Sequence, residues 1–170
     1  IVDNLRLVGE KIWLRPVQVD DASEEYCGWL NDSVVNAFLE TRQATIADLE
    51  KYIAEKLLSE QSLFLGIFWK ASGQHIGNIK LEPIDFDKKE AVLGILIGDK
   101  DYWGRGVATE AVNLLSDYAF DVFGLKKLSL GVISENKAAI RVYEKCGFTV
   151  KNVESKMVNR DGQLFYKVWM

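Results

Sequence analysis

Tyr102-Trp103-Gly104-Arg105-Gly106-Val107-Ala108-Thr109 lies between an apolar run at residues 90–98 (EAVLGILIG) and a long stretch with apolar residues at 107, 111, 115, 118 and 122. The run before it reads as a strand, and the stretch after it as a helix from Val107 to Phe123 that Gly124 ends. Two glycines let the backbone turn tightly and approach a ligand closely. The helix then opens with several N–H groups unpaired and the positive end of its dipole facing the loop. A phosphate or pyrophosphate suits that position, and Arg105 adds a positive charge to it. An ordinary tight turn also explains a lone Gly-x-Gly, and the stretch is neither a Walker loop nor a full dinucleotide fingerprint.

Upstream, residues 11–17 (KIWLRPV) alternate apolar and polar, which predicts a first strand. Asp20 and Asp21 are placed to cap a helix running to about Asn31, with Tyr26, Trp29 and Leu30 on its buried side. Thr45 and Asp48 form a capping box before a second helix, whose Leu49, Ile53 and Leu57 recur at helical spacing. Residues 62–70 and 74–82 read as strands, with turns at Ala71-Ser72-Gly73 and Asp85-Phe86-Asp87. Downstream, Lys126–Val132 reads as a short strand and Asn136–Cys146 as a helix ended by Gly147, with Ala139, Val142, Tyr143 and Cys146 inward. Phe148–Val153 and Leu164–Trp169 read as two final strands around a turn at Arg160-Asp161-Gly162. An antiparallel front half thus joins a strand–helix–strand crossover, and the fold class is α+β.

The 170 residues carry no internal repeat or linker, so one domain over residues 1–170 is expected. With 48% hydrophobic and 27% charged residues the composition is that of a soluble globular protein. A net charge of −4 gives no electrostatic reason to expect nucleic acid or an anionic membrane as partner. Cys27, Cys146 and the lone His75 match no metal-ligand spacing, so no metal is expected. No apolar run approaches the roughly 18 residues of a membrane span, and the N-terminal residues lack a signal-peptide layout. A cytoplasmic monomer or homodimer with reduced thiols is the expectation.

GILIGDKDYWGRGVATEA followed by NKAAIRVYEKCGF resembles the GCN5-related N-acetyltransferase (GNAT) family, and within it the ribosomal-protein and spermidine acetyltransferase-like branch. The family's loop reads Gln/Arg-x-x-Gly-x-Gly/Ala. Gly106 and Ala108 match its last two positions, while Trp103 stands at the first. The likeness continues into the VESKMVNRDGQLFYKVWM tail and upstream into WLRPVQVDDA, over most of the chain.

That resemblance implies a mixed, mostly antiparallel central sheet flanked by helices, in which the fourth and fifth strands (residues 90–98 and 126–132) splay apart. It implies acetyl-CoA as co-substrate, with the pantetheine arm in the gap between those strands. Backbone groups near Leu96 and Ile97 would pair with the pantetheine amides. The amides of Trp103, Gly104, Arg105, Gly106, Val107, Ala108 and Thr109 would hold the pyrophosphate. Gly94 and Gly98 fit a bulged strand, and relief of crowding near a turn fits either as well. Asn136 and Tyr143 are nearly two helical turns apart on one face. Asn136 also fits a plain N-cap and Tyr143 a half-buried packing residue; the resemblance implies coenzyme contact for Asn136, and for Tyr143 protonation of the departing thiolate.

The acceptor implied is a primary amine of a small molecule, an amino sugar that can be nucleotide-linked, or a polyamine. Such an amine attacks only through its lone pair. With a pKa near 10.4 it is on the order of 0.1% neutral at pH 7, a handicap of about 4–5 kcal/mol. Relatives often place a glutamate in the fourth strand; here Val92 stands there. Glu82 is the candidate base and Glu40 another, while a water chain ending at backbone carbonyls needs no base. Neither cysteine lies in a nucleophile motif, so direct attack is expected. Acceptor contacts are expected from Trp29, Phe38, Leu39, Glu40 and Arg42, with Glu40 meeting an ammonium and Arg42 a phosphate; a surface ion pair accounts for the last two equally well. A protein N-terminal acetyltransferase and a non-catalytic acetyl-CoA-binding module stay open beside the small-molecule enzyme.

Overall fold

The computed structural model describes residues 4–37, 39, 43–154, 157–158, 164–165 and 167–170. Chain order gives β1 (Leu7–Val8), β2 (Ile12–Pro16), α1 (Glu24–Asn31), α2 (Ile46–Leu58), β3 (Leu63–Trp69), β4 (His75–Asp85) and β5 (Glu90–Ile97). After these come α3 (Val107–Asp121), β6 (Lys127–Ser129), β7 (Gly131–Ile133), α4 (Lys137–Lys145), β8 (Asn152–Val153), β9 (Met157–Val158), β10 (Leu164–Phe165) and β11 (Lys167–Trp169). A six-stranded sheet runs β1-β2-β3-β4-β5-β6, antiparallel except where β5 meets β6. A smaller sheet runs β7-β11-β8, and β9 pairs with β10.

Alternating side chains divide the large sheet into two buried faces. Ile12, Leu14, Leu65, Ile67, Ile79, Leu81 and Leu93 meet Val107, Ala111, Val112, Leu115 and Ala119 of α3. Val17 and Phe64 point the other way, against Tyr26, Trp29 and Leu30 of α1 and Leu49 and Ile53 of α2. Each fully buried aliphatic side chain contributes about 1.5–3 kcal/mol, so the central strands are held from both sides.

The decisive feature is a fork. β5 and β6 pair only from Glu90–Val92 to Lys127–Ser129. At Leu130 the chain changes partner: its N–H donates to Met170 O and its carbonyl accepts from Met170 N, both at 2.9 Å. From there β7 pairs with β11. The expected continuous strand over residues 126–132 is therefore two strands in two sheets, because one residue hands the backbone from β5 to β11. Among the described residues, Leu93–Ile97 have no strand on that edge.

Several local expectations shift for identifiable reasons. Val19–Asp21 form a single 3-10 turn, and α1 begins only after Ser23, whose hydroxyl accepts from Tyr26 N at 3.1 Å. Asp21 does not cap α1 because its carboxylate is taken by both terminal nitrogens of Arg15, at 2.7 and 2.8 Å, and by Gln18 N. The capping box at Thr45 and Asp48 is present. Leu57 is 46% exposed and Val122 63% exposed, since α2 and α3 turn those last positions outward. The bulge in the β4–β5 ladder lies between Leu81 and Ile84, not at Gly94 or Gly98, and sets Glu82 near Val92. Only Asn152–Val153 of the expected 148–153 strand pairs, on β11. The turn expected at residues 160–162 lies outside the described residues.

Candidate active site

The open edge of β5 is the backbone feature that distinguishes the site. In an antiparallel pair, successive residues direct their N–H and C=O to opposite edges. Gly98 N–H donates to Ile76 O at 2.9 Å, and the Leu96 carbonyl lies against Gly77, so both face β4. Leu96 is thus corrected as a residue offering backbone to the gap. The open edge is formed by its neighbours Ile95 and Ile97. The Ile97 carbonyl accepts from Trp103 Nε1 at 2.8 Å, so the indole folds back over the end of β5.

At the far end of that edge, Gly104 has φ +74° and Gly106 φ +78°. A side chain at either position would be strained by about 1–2 kcal/mol. Gly106 is the N-cap of α3 and no side chain caps it, so the first amides of the helix, at Val107, Ala108 and Thr109, are presented to the loop. The Arg105 guanidinium lies over Tyr102, 5.1 Å from the ring centre, and toward Trp69. A second cation, Lys11, stands at the same turn. Its ammonium donates to Arg105 O at 2.9 Å and stands 3.5 Å from where a Gly106 side chain would begin. Behind the loop, the Glu110 carboxylate accepts Lys11 N at 3.0 Å and Ile12 N at 2.9 Å, pinning the first turn of α3 to the start of β2. Sequence reasoning missed Lys11 and Glu110. Glu110 left one signal, an acid in a helix first turn; Lys11, almost a hundred residues away, left none.

α4 carries the remaining two candidates. The Asn136 side chain accepts from Ala139 N at 3.3 Å, which is the N-cap role. Tyr143 is 7% exposed and belongs to the same apolar cluster as Leu93, Leu130 and Val132, the residues at the fork. Burial, with a smaller contribution from Cys146, pushes its phenol up to about 12. The group therefore stays protonated at neutral pH and keeps a proton to donate. Cys146 is half-buried, its thiol pushed up by burial and 3.7 Å from Thr109 O, so it links α4 to the start of α3 as a neutral group.

The opposite face of the sheet, under α1 and α2, holds the acceptor-side candidates. Glu82 is bound by Lys56, and Ser62 Oγ donates to its other oxygen at 3.0 Å. Burial pushes its pKa up, but the hydrogen bonds from Lys56 and Ser62 and the charge of Lys80 outweigh it and hold the carboxyl below its ordinary value. Trp29 is 8% exposed and corrected as an open contact surface: its ring lies against Tyr26, His75 and Gly98, where any side chain would collide with it. His75 accordingly sits half-buried, its pKa pushed below the ordinary imidazole value chiefly by desolvation, with Nε2 2.8 Å from Asn78 Oδ1. Val92 is the last β5 residue paired with β6 and puts an aliphatic group at the fork. Phe38, Glu40 and Arg42 lie outside the described residues. Among the described residues no group of three or more His, Cys, Asp or Glu is placed to hold a metal ion, and no helix is long and apolar enough to cross a membrane.

Comparison with known proteins bears on this arrangement. A family model described as an acetyltransferase (GNAT) domain matches residues 11–149. The chain is 31% identical over 169 residues to a Bacillus subtilis (strain 168) protein called probable N-acetyltransferase YjcK, covering 92% of this chain and 90% of that one. It is 32% identical over 138 residues to spermidine N(1)-acetyltransferase of Escherichia coli (strain K12), covering 81% of this chain and 73% of that one. The solved structure of spermidine N-acetyltransferase from Vibrio cholerae, in complex with CoA and spermine, superposes with a TM-score of 0.81 at 22% identity, over 95% of this chain and 96% of that one. At that identity the likeness speaks for the fold.

Proposed function

The chain belongs to the GNAT acetyltransferase family, and from that premise we propose that it transfers the acetyl group of acetyl-CoA directly to a primary amine of a small molecule, an amino sugar, free or nucleotide-linked, or a polyamine. The observation that carries the reading is the open edge of β5 beyond the fork, followed in the chain by the glycine loop and the uncapped α3 N-terminus. Acetyl-CoA supplies the activated acetyl thioester.

The chain's own groups then have distinct tasks. The amides from Gly104 to Thr109, with the Lys11 ammonium beside them, hold the pyrophosphate. Ile95 and Ile97 offer backbone groups to the pantetheine amides, and the Trp103 indole gives up the Ile97 carbonyl. Tyr143 donates its proton to the thiolate as it leaves; in apolar surroundings a localised thiolate is penalised, which raises its demand for a proton. Asn136 orients the start of α4 by capping it.

Glu82 is an ion-paired group that shapes the acceptor side, and the amine's proton leaves through water and backbone carbonyls. The lowered pKa supports this, because a good base at neutral pH needs a raised one. Val92 in place of a carboxylate is the feature that would suit a non-catalytic acetyl-CoA-binding module, and the buried, protonated Tyr143 favours turnover. Coenzyme A release is measured with acetyl-CoA against glucosamine, a nucleotide-linked amino sugar, spermidine and a peptide with a free N-terminus. Release with small amines supports the proposal. Release with the peptide alone points to a protein N-terminal acetyltransferase, and acetyl-CoA binding without release from any amine to the binding module.

A further inference from the structure

Lys80 lies on β4 directly opposite Gly94, in the part of β5 whose far edge is open. A side chain on Gly94 would meet Lys80 Cε at 3.3 Å and Cγ at 3.5 Å, so the lysine stem covers the glycine on the α1–α2 face. The ammonium, one bond beyond Cε, therefore stands over β5, within about two strand spacings, ~10 Å, of the gap. From there Lys80 Nζ donates to Tyr52 Oη at 3.1 Å. A phenol oxygen that accepts from an ammonium keeps its own proton to give. Two donors, one of them charged, thus lie side by side above the site. Glu82, the carboxylate near Lys80, is already bound by Lys56 and Ser62. Counting Lys56, Lys80 and Glu82, this cluster keeps one net positive charge.

We propose that Lys80 and Tyr52 receive an anionic group of the acceptor, a carboxylate or a phosphate ester borne close to its amine. This rests on the N-acetyltransferase reading and narrows its acceptor class: the substrate is an anionic amine, and a polyamine meets a like charge where it would have to lie. A charge-assisted hydrogen bond from Lys80 and a neutral one from Tyr52 orient the anion, and Gly94 leaves room for the lysine to reach it.

Matched pairs test this on the intact chain with acetyl-CoA: glucosamine 6-phosphate against glucosamine, an α-amino acid against its methyl ester, and spermidine. The expected result is a kcat/KM at least tenfold higher for the anionic member of at least one pair, with the sugar and amino-acid arms separating phosphate from carboxylate. In Lys80→Met that preference falls at least tenfold while the neutral partner changes by no more than threefold, and Lys80→Arg restores most of it. Equal use of both members of each pair, preference for spermidine, or equal losses for both members in Lys80→Met would overturn the proposal. Calorimetric binding of the same amines to the protein with coenzyme A separates the two readings. Lys80-dependent binding of an anionic amine without turnover supports the anion site and defeats the transferase reading. Turnover without preference does the reverse, and absence of anionic-amine binding defeats the anion site outright.

Discussion

Gly106→Glu probes the loop where geometry and charge coincide. The residue stands at φ +78°, so any side chain costs about 1–2 kcal/mol of backbone strain. The space itself is open: the nearest atom to a new Cβ is Lys11 Nζ at 3.5 Å, ordinary contact distance. A glutamate there can pair with Lys11, which offsets part of the strain and lets the protein fold. The same carboxylate would face the pyrophosphate. One like-charge pair at roughly 6 Å costs about 3 kcal/mol at an effective dielectric of 20. Neutralisation by Lys11 and screening remove about half of that, leaving close to 1.4 kcal/mol, or tenfold in affinity. Calorimetric titration with acetyl-CoA should therefore show at least a tenfold rise in Kd, with a thermal melt showing a folded variant. Gly106→Ala isolates the strain and should lose less affinity than Gly106→Glu. A folded Gly106→Glu protein that binds acetyl-CoA as tightly as the parent would refute the assignment of the loop.

Tyr143→Phe should lower kcat on the order of a hundredfold with acetyl-CoA affinity nearly intact, since the hydroxyl acts when charge develops on sulfur; a variant keeping more than half the rate with chemistry limiting would make Tyr143 a packing residue. Glu82→Gln should keep most activity, with the rise of rate with pH following the acceptor's own pKa for two different amines; a limb fixed at one pH for both and lost in the variant would make Glu82 the base. Because the folded state holds the Glu82 carboxyl below its unfolded value of 4.5, its contribution to stability is present above that pH and fades as pH falls through the folded value, so the melting difference between parent and Glu82→Gln should shrink in acid. Glu110→Ala should destabilise the fold by about 1–3 kcal/mol in urea unfolding, as the Lys11 and Ile12 amides lose their acceptor.

The readable parts of this chain are those where one local rule decides the outcome. Short apolar runs bounded by turn residues at 62–70, 74–82 and 90–98 mark β3, β4 and β5 because strands buried on both faces are apolar nearly throughout. Thr45 and Asp48 announce α2 because both bonds of the box are made within four residues. Gly104 and Gly106 announce the loop because almost no other residue tolerates that backbone. What could not be read depends on partners distant in sequence. Leu130 looks like any other strand leucine, and Met170 is what divides its strand in two. Asp21 looks like a helix cap until Arg15 claims it. Leu96 and Ile97 are indistinguishable in composition, and their roles separate only when it is known which edge of β5 faces β4. Trp29 reads as an acceptor contact until Gly98 is found beneath it.

The place of β11 has a consequence for how the protein is made. β11 lies in the middle of the small sheet, between β7 and β8, and Met170 is both 2% exposed and doubly bonded to Leu130. Translation delivers these residues after those of β5, β6 and β7. Until they arrive, residues 130–133 lack their native partner while the edge of β5 beside them is bare, and bare strand edges pair. Pairing of residues 130–133 with β11 is therefore what keeps β5 and the following strand from continuing as one parallel ladder. The groove thus depends on residues 167–170, and a substitution that weakens β11 acts on it directly, although those residues lie far in sequence from the glycine loop.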